Sequence, residues 1–295
     1  MSDKLTVEGI NKMAETPRGF IDLCEKEFDE KIKSVAAYVK KNKIKIIFLS
    51  GPTSSGKTTF TKKMAGYLGR GSLVLSLDDY YKEQEEIPLN KDGSYNYETI
   101  SAINTKRFRE DVKKLLSGEE TALPGLDFKT GERSDESRKV RLKGSSTVIV
   151  EGLHALNPKI YGACGENCLK IFISPMRKVF NGKKIISSYD IRFIRRMVRD
   201  NFFRNAGAEI TVKMWKSVRS GEKIYMQKYK DNADFLIDTF MPYELCVMKK
   251  IALSQLSGIE KTIKVRRLAN ILGAFEEIDK KYIPKTSILN EFIKL

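Results

Sequence analysis

Ile44-Lys45-Ile46-Ile47-Phe48-Leu49-Ser50-Gly51-Pro52-Thr53-Ser54-Ser55-Gly56-Lys57-Thr58-Thr59 is the stretch on which the reading of the fold turns. It opens with a short, nearly continuous apolar run, the composition of a strand buried on both faces of a parallel sheet. Residues 51–58 then satisfy the spacing GxxxxGK followed by Ser or Thr, and Thr59-Phe60-Thr61-Lys62 begins a helical pattern. A strand before and a helix after are the contexts that a phosphate-binding loop (P-loop) of this spelling requires. Glycines let the backbone wrap closely enough for its N–H groups to face phosphate oxygens, and the helix N-terminus adds the positive end of a dipole. The expected nucleotide contacts run over Gly51, Thr53, Ser54, Ser55, Gly56, Lys57, Thr58 and Thr59. Lys57 is placed to reach the β- and γ-phosphates, and the Thr58 hydroxyl to coordinate Mg²⁺.

Outward from this loop, similar apolar runs recur at Leu73–Leu77, Thr147–Val150, Leu169–Ile173 and Phe235–Ile237. Helical patterns lie between them at Lys57–Leu68, Thr105–Leu116 and about Asp190–Arg204. Strands alternating with helices imply right-handed crossovers and an α/β fold, an open parallel sheet flanked by helices, with ligands beyond the carboxyl ends of the strands. Residues 1–43 read as an N-terminal helical extension, 44–250 as the P-loop domain with a lid at about 187–230, and 251–295 as a C-terminal helical extension packed on it. The 295 residues, 41% hydrophobic, suit one large domain with appendages. No stretch approaches the ~18 uninterrupted apolar residues of a membrane span, and the first residues lack the order of a signal peptide, so a cytoplasmic protein with no membrane partner is expected. Cys24, Cys164, Cys168 and Cys246 read as free thiols; with His154 the only histidine, Cys164 and Cys168 do not make a zinc site.

The net charge is +16, and between Arg177 and Lys230 fifteen basic residues face four acidic ones, Asp190, Asp200, Glu209 and Glu222, so +11 of the excess sits in that segment. A local cluster suits a small polyanion as well as a nucleic acid. A P-loop protein gripping a phosphate backbone is therefore carried as an alternative; it predicts steep salt dependence, and the segment lacks the interleaved aromatics of a single-strand platform. A GTPase is disfavoured because Asn90-Lys91-Asp92-Gly93 puts its acid one place too early for a guanine-reading Asn-Lys-x-Asp. A motor ATPase usually ends an apolar strand with two acids, whereas Val148-Ile149-Val150-Glu151-Gly152 leaves Glu151 alone to organise Mg²⁺.

After the second strand, Leu75-Ser76-Leu77-Asp78-Asp79-Tyr80-Tyr81-Lys82 places two carboxylates beside the P-loop, where an acceptor hydroxyl would lie. A carboxylate that accepts the hydroxyl proton contributes to phosphoryl transfer; Asp78 is the expected base, with Asp79 the next choice. Together with Tyr95-Asn96-Tyr97-Glu98, Leu123-Pro124-Gly125-Leu126-Asp127-Phe128, Glu151-Gly152-Leu153-His154-Ala155-Leu156-Asn157-Pro158 and Ile194-Arg195-Arg196-Met197-Val198-Arg199-Asp200, these motifs resemble the uridine kinase and phosphoribulokinase family of P-loop kinases, in its nucleoside kinase-like branch. The likeness spans roughly residues 45–240 and weakly includes Ile283-Pro284-Lys285-Thr286-Ser287-Ile288-Leu289.

The resemblance implies Mg·ATP-dependent transfer of the γ-phosphate to the 5′-hydroxyl of a ribonucleoside, a sugar phosphate being the neighbouring acceptor class. It puts the base on Asp78, the ribose-binding acid on Glu98, and pocket-lining aromatics on Tyr81 and Phe128. Three positions depart from its pattern: Glu98 stands where uridine kinases usually carry aspartate, and Leu126 and Gly131 stand where tyrosine and histidine read the pyrimidine edge, so the usual discrimination is not expected. Arg192, Arg195, Arg196, Arg199 and Arg204 crowd one helical stretch, with Arg192, Arg196 and Arg199 on one face. Five guanidiniums repel unless an anion lies among them, and arginine suits a triphosphate through planar bidentate donation. The resemblance makes Arg196, Arg199 and Arg204 lid residues over the phosphates, with Lys57 and Arg199 joining Asp78 in catalysis. Met214-Trp215-Lys216-Ser217-Val218-Arg219-Ser220-Gly221-Glu222 resembles the same branch without a role that chemistry alone assigns. Homo-oligomerisation is left open.

Overall fold

The computed structural model describes residues 4–69, 71–90, 93–126, 133–144, 146–162 and 167–294. Five strands, β1 (Ile46–Ser50), β2 (Leu73–Ser76), β5 (Val148–Glu151), β6 (Cys168–Ser174) and β9 (Phe235–Asp238), form one parallel sheet in the order β2-β5-β1-β6-β9. All five are the apolar runs of the sequence. The pleat explains why those runs are continuous rather than alternating, since successive side chains enter opposite cores. Ile47, Leu49, Ile149, Ile171 and Ile173 join one buried cluster; Ile46, Phe48, Val148, Val150 and Phe172 join the other.

Helices α3 (Lys57–Leu68) and α4 (Thr105–Leu116) have the expected bounds. The Asn104 side chain caps α4 by accepting from Arg107 N–H at 3.1 Å, and its Phe108, Val112 and Leu115 fill the second cluster. Helix α6 (Ser188–Arg204) begins at a capping box in which Asp190 accepts from Ser187 N–H at 2.9 Å. A second long helix, α7 (Ala208–Tyr225), folds back against it.

Residues 1–43 hold two helices, α1 (Val7–Ala14) and α2 (Pro17–Lys41); Pro17 opens the second, where its missing N–H costs nothing. The buried face of α2, including Ile21, Phe28, Ile32, Val35 and Val39, enters the same cluster as β1 and α6. Helix α8 (Glu244–Ser257) runs across the boundary expected at 250, and α9 (Ile263–Gly273) follows. The last residues, Ile288, Leu289, Phe292 and Ile293, are buried in that cluster too. Two antiparallel hairpins lie outside the main sheet: β3 (Thr121–Leu126) with β4 (Arg133–Val140), and β7 (Val179–Asn181) with β8 (Lys184–Ile186). A short helix, α5 (Pro158–Tyr161), completes the α-helices and strands among the described residues, which also hold six short 3-10 turns. No described helix is long and apolar enough to cross a membrane.

Candidate active site

The loop after β1 is shaped by where its carbonyls go. Lys57 Nζ donates to Gly51 O at 2.9 Å and Pro52 O at 3.2 Å. Arg192 donates to Thr53 O at 3.2 Å, Arg195 to Ser54 O at 3.3 Å, and the Thr239 hydroxyl to Ser55 O at 2.7 Å. Five consecutive carbonyls are thus drawn into the protein, and Ser54 and Gly56 adopt left-handed φ of 57° and 90° to permit it. Such a turn makes a concavity of backbone N–H groups that suits phosphate. A Cβ on Gly51 would lie 2.4 Å from Ile173 O, so only glycine lets the loop sit directly over β6. The buried Ser54 and Ser55 hydroxyls have no hydrogen-bond partner among the described residues. Orphaned hydroxyls in a donor-lined loop fit a ligand rich in acceptor oxygens, as a triphosphate is.

Arg192 and Arg195, read from sequence among cations gathered for a triphosphate, are instead braces behind the loop. Arg192 forms a two-pronged pair with Glu222 at 2.7 and 2.9 Å, both side chains almost wholly buried. Arg195 pairs with Glu244 through Nε at 2.8 Å, and neither is exposed at all. Their anions are carboxylates of the chain itself, 30 and 49 residues away. The other three arginines converge on one buried carboxylate, Asp200: Arg199 donates to it at 2.7 and 2.9 Å, Arg196 lies 3.1 Å away and Arg204 3.6 Å. One negative charge against three positive leaves this group in excess of two charges, and Arg196 reaches the loop by donating to Thr53 Oγ1 at 3.2 Å.

At the carboxyl ends of β2 and β5, Asp78 and Glu151 are linked through Ser76, whose hydroxyl donates to Glu151 at 2.8 Å and accepts from Asp78 N–H at 3.3 Å. Desolvation pushes the Asp78 carboxyl up to about 6, with Glu151, Asp79 and Glu98 adding to the rise and Lys57 opposing it. The Glu98 carboxyl, within electrostatic reach of Asp78, is pushed up by desolvation and Glu222 and drawn down by Arg196 and Lys57. Tyr81 lies among Asp78, Glu98 and Tyr97 and donates to Tyr97 O at 3.0 Å. Asp79 turns away: it accepts from Leu126 N–H at 3.3 Å and so anchors the β3–β4 hairpin. Thr58 is exposed at the start of α3. The loop residues, Asp78, Tyr81, Glu98, Glu151, Arg196, Arg199 and Arg204 therefore share one cleft, whereas Phe128 and Gly131 lie outside the described residues.

Motif reading assigned no role to four contributors. Ser76 bridges the two acids, and Glu222 accepts from Thr53 N–H at 3.0 Å while holding Arg192. Gly221 leaves room for Glu98, since a Cβ there would meet Glu98 Cγ at 3.2 Å. Glu291, from the C-terminal segment, accepts from Thr59 N–H, and its neighbour Ile288 fills the space beside Gly56. His154 is buried against the Tyr225 ring, which desolvation accompanies by pulling its imidazole down to about 4. Among the described residues no group of three or more His, Cys, Asp or Glu side chains could hold a metal ion; Mg²⁺, which keeps waters and phosphate oxygens, needs only one or two protein carboxylates.

A strand–loop–helix phosphate cradle with its lysine, a cluster of arginines on α6 and a carboxylate at the adjacent strand end define an ATP-dependent small-molecule kinase. The chain belongs to the phosphoribulokinase / uridine kinase family, whose model matches residues 46–245. It is 30% identical over 194 residues to a uridine kinase from Deinococcus deserti, covering 65% of this chain and 86% of that one. A uridine kinase from Staphylococcus aureus is 27% identical over the same coverage. A solved structure described as a possible uridine kinase from Bacillus stearothermophilus aligns with a TM-score of 0.41 at 17% identity, over 66% of this chain and 88% of that one.

Proposed function

We propose that the protein transfers the γ-phosphate of ATP to the 5′-hydroxyl of a ribonucleoside in the cytoplasm. The observation that carries this reading is the placing of Asp78 and Glu98 within electrostatic reach of each other and of Lys57. When bound, Mg·ATP supplies the phosphoryl group and neutralises part of its charge. Asp78 accepts the proton of the attacking hydroxyl and aims its oxygen in line. Lys57 and Arg199, with Arg196 and Arg204, hold the phosphate charge as it shifts toward the leaving ADP. Thr58 and Glu151 would hold the metal, and Ser76 fixes Glu151 relative to Asp78. Glu98 accepts from the ribose 2′- and 3′-hydroxyls, and Tyr81 packs beside the sugar. The lid arginines exclude water from the γ-phosphate, so ATP is not spent on hydrolysis. The names of the curated relatives agree with a nucleoside acceptor. Leu126 offers its backbone N–H to Asp79 and carries no polar side chain, which supports a mode of base recognition other than the family's usual one.

Glu98 provides the test. Hydrogen bonds to a charged group contribute about 1.5–3 kcal/mol, so the enzyme should use a ribonucleoside at least ~10-fold better than its 2′-deoxy counterpart in kcat/KM. Glu98→Ala should erase that preference and leave the KM for ATP unchanged. Equal use of both sugars by the wild type, or a preference that survives Glu98→Ala, contradicts the assignment.

A further inference from the structure

Behind Arg192, which braces the P-loop at Thr53 O, a groove of about 420 Å³ lies between α6, α7 and α9. Its cations come from separate elements: Lys216, Arg219 and Lys223 along α7, Lys264 and Arg267 on α9. Asp190 is the one carboxylate in its lining, and Arg267 already holds it at 2.9 Å. The remaining four cations face the cavity with no carboxylate among the lining residues to answer them. Aromatic rings fix two of them, the Arg219 guanidinium 3.9 Å from the centroid of Tyr189 and Lys264 Nζ 4.2 Å from that of Phe193. Trp215 forms the wall, packed edge-on to Phe193 at 5.3 Å. Beneath Tyr189 and Trp215 lies the buried Arg192, whose Nε has no hydrogen-bond partner among the described residues.

We infer that this groove is a second binding site, for the condensed-phosphate chain of a small ligand, separate from the P-loop. The volume is that of a small-molecule site. Lys216, Arg219 and Lys223 span two turns of α7, a row of about 10 Å, so their charges match an extended polyanion better than a single carboxylate. Arginine and lysine together answer phosphate by forked and point-charge donation. Desolvation and the nearby Arg219 pull the Lys264 ammonium down to about 8, with Asp190 opposing them. The Trp215 face is covered by its neighbours, so the site reads the phosphates and not a stacked base. Helix α9 lies beyond the stretch matched by the family model, so the groove is partly built by this chain's own C-terminal region.

Trp215 is the only tryptophan in the chain and reports the groove directly. Inorganic tripolyphosphate titrated into the full-length protein should give a saturable change in its fluorescence. Half-saturation should stay within about threefold in Lys57→Ala, which cripples the P-loop, and weaken at least ~10-fold in Arg219→Gln/Lys264→Gln, about 1.4 kcal/mol. Lys216→Gln/Lys223→Gln, confined to exposed positions, should weaken it as well while the kinase activity of that variant is unchanged, which separates charge loss from misfolding. A nucleoside triphosphate titrated into Lys57→Ala should match tripolyphosphate if the phosphates alone are read; markedly tighter binding would instead give the base a part and overturn phosphate-only recognition. Absence of a saturable change, or a change lost in Lys57→Ala and indifferent to the groove variants, overturns the site.

Discussion

Asp78→Asn should lower kcat by about 10²–10⁴, the contribution of a positioned general base, while ATP affinity stays within about threefold. The amide keeps the size and position of the side chain but cannot accept the hydroxyl proton. The same residue sets the expected pH profile. With its carboxyl held at about 6, Asp78 is protonated and inactive below that value. Wild-type kcat/KM should therefore rise about tenfold per pH unit up to about 6 and level off above it, because that parameter reports the free enzyme. The residual activity of Asp78→Asn should lack this break. Retention of more than about a tenth of wild-type turnover would remove Asp78 from the mechanism.

The second large effect concerns stability. Removing one partner of a buried ion pair strands the other charge and costs about 3–5 kcal/mol. Arg195→Met should produce that loss in urea unfolding, since Glu244 has no exposure and desolvation already pushes its carboxyl up, against the pull of Arg195. The double variant Arg195→Met/Glu244→Leu should recover most of the stability, because a matched apolar pair relieves the stranded charge. It should not recover ATP affinity, since Arg195 also holds Ser54 O and so the curvature of the phosphate loop. A loss below about 1 kcal/mol for Arg195→Met, the ordinary range of single substitutions, contradicts the picture of a paired brace.

The contrast between β1 and α6 marks how much of this was legible in the sequence. Residues 44–59 carry their meaning locally: an apolar run, a glycine-spaced loop and a helix start. All five sheet strands were readable for the same reason. The lid arginines were readable as a basic helical face, but which of them stay available for phosphate depends on Glu222 and Glu244, far along the chain and invisible to a 3.6-residue period. One signal was there: Glu244 interrupts the apolar run Met241–Met248, and an acid in such a setting announces a buried partner. Asp78 ranks ahead of Asp79 in sequence, and the two part in the fold because Leu126, at the end of β3, claims Asp79 and Ser76 holds Asp78. That hairpin escaped notice because β3 contains Pro124 and Gly125 and the face of β4 is largely exposed and polar, so neither strand alternates. Glu291 reaches Thr59 from the opposite end of the chain, which no local pattern encodes.

The nature of the acceptor is the central claim, and one assay addresses it directly. The purified protein would be incubated with Mg·ATP and a panel of ribonucleosides, deoxyribonucleosides and sugar phosphates, with ADP and phosphorylated product followed together. The account predicts ADP formation that depends on a ribonucleoside, in one-to-one ratio with its 5′-monophosphate, and little ADP when no acceptor is present. Consumption of a sugar phosphate with every nucleoside untouched, or ADP released at the same rate with and without acceptor, would contradict it.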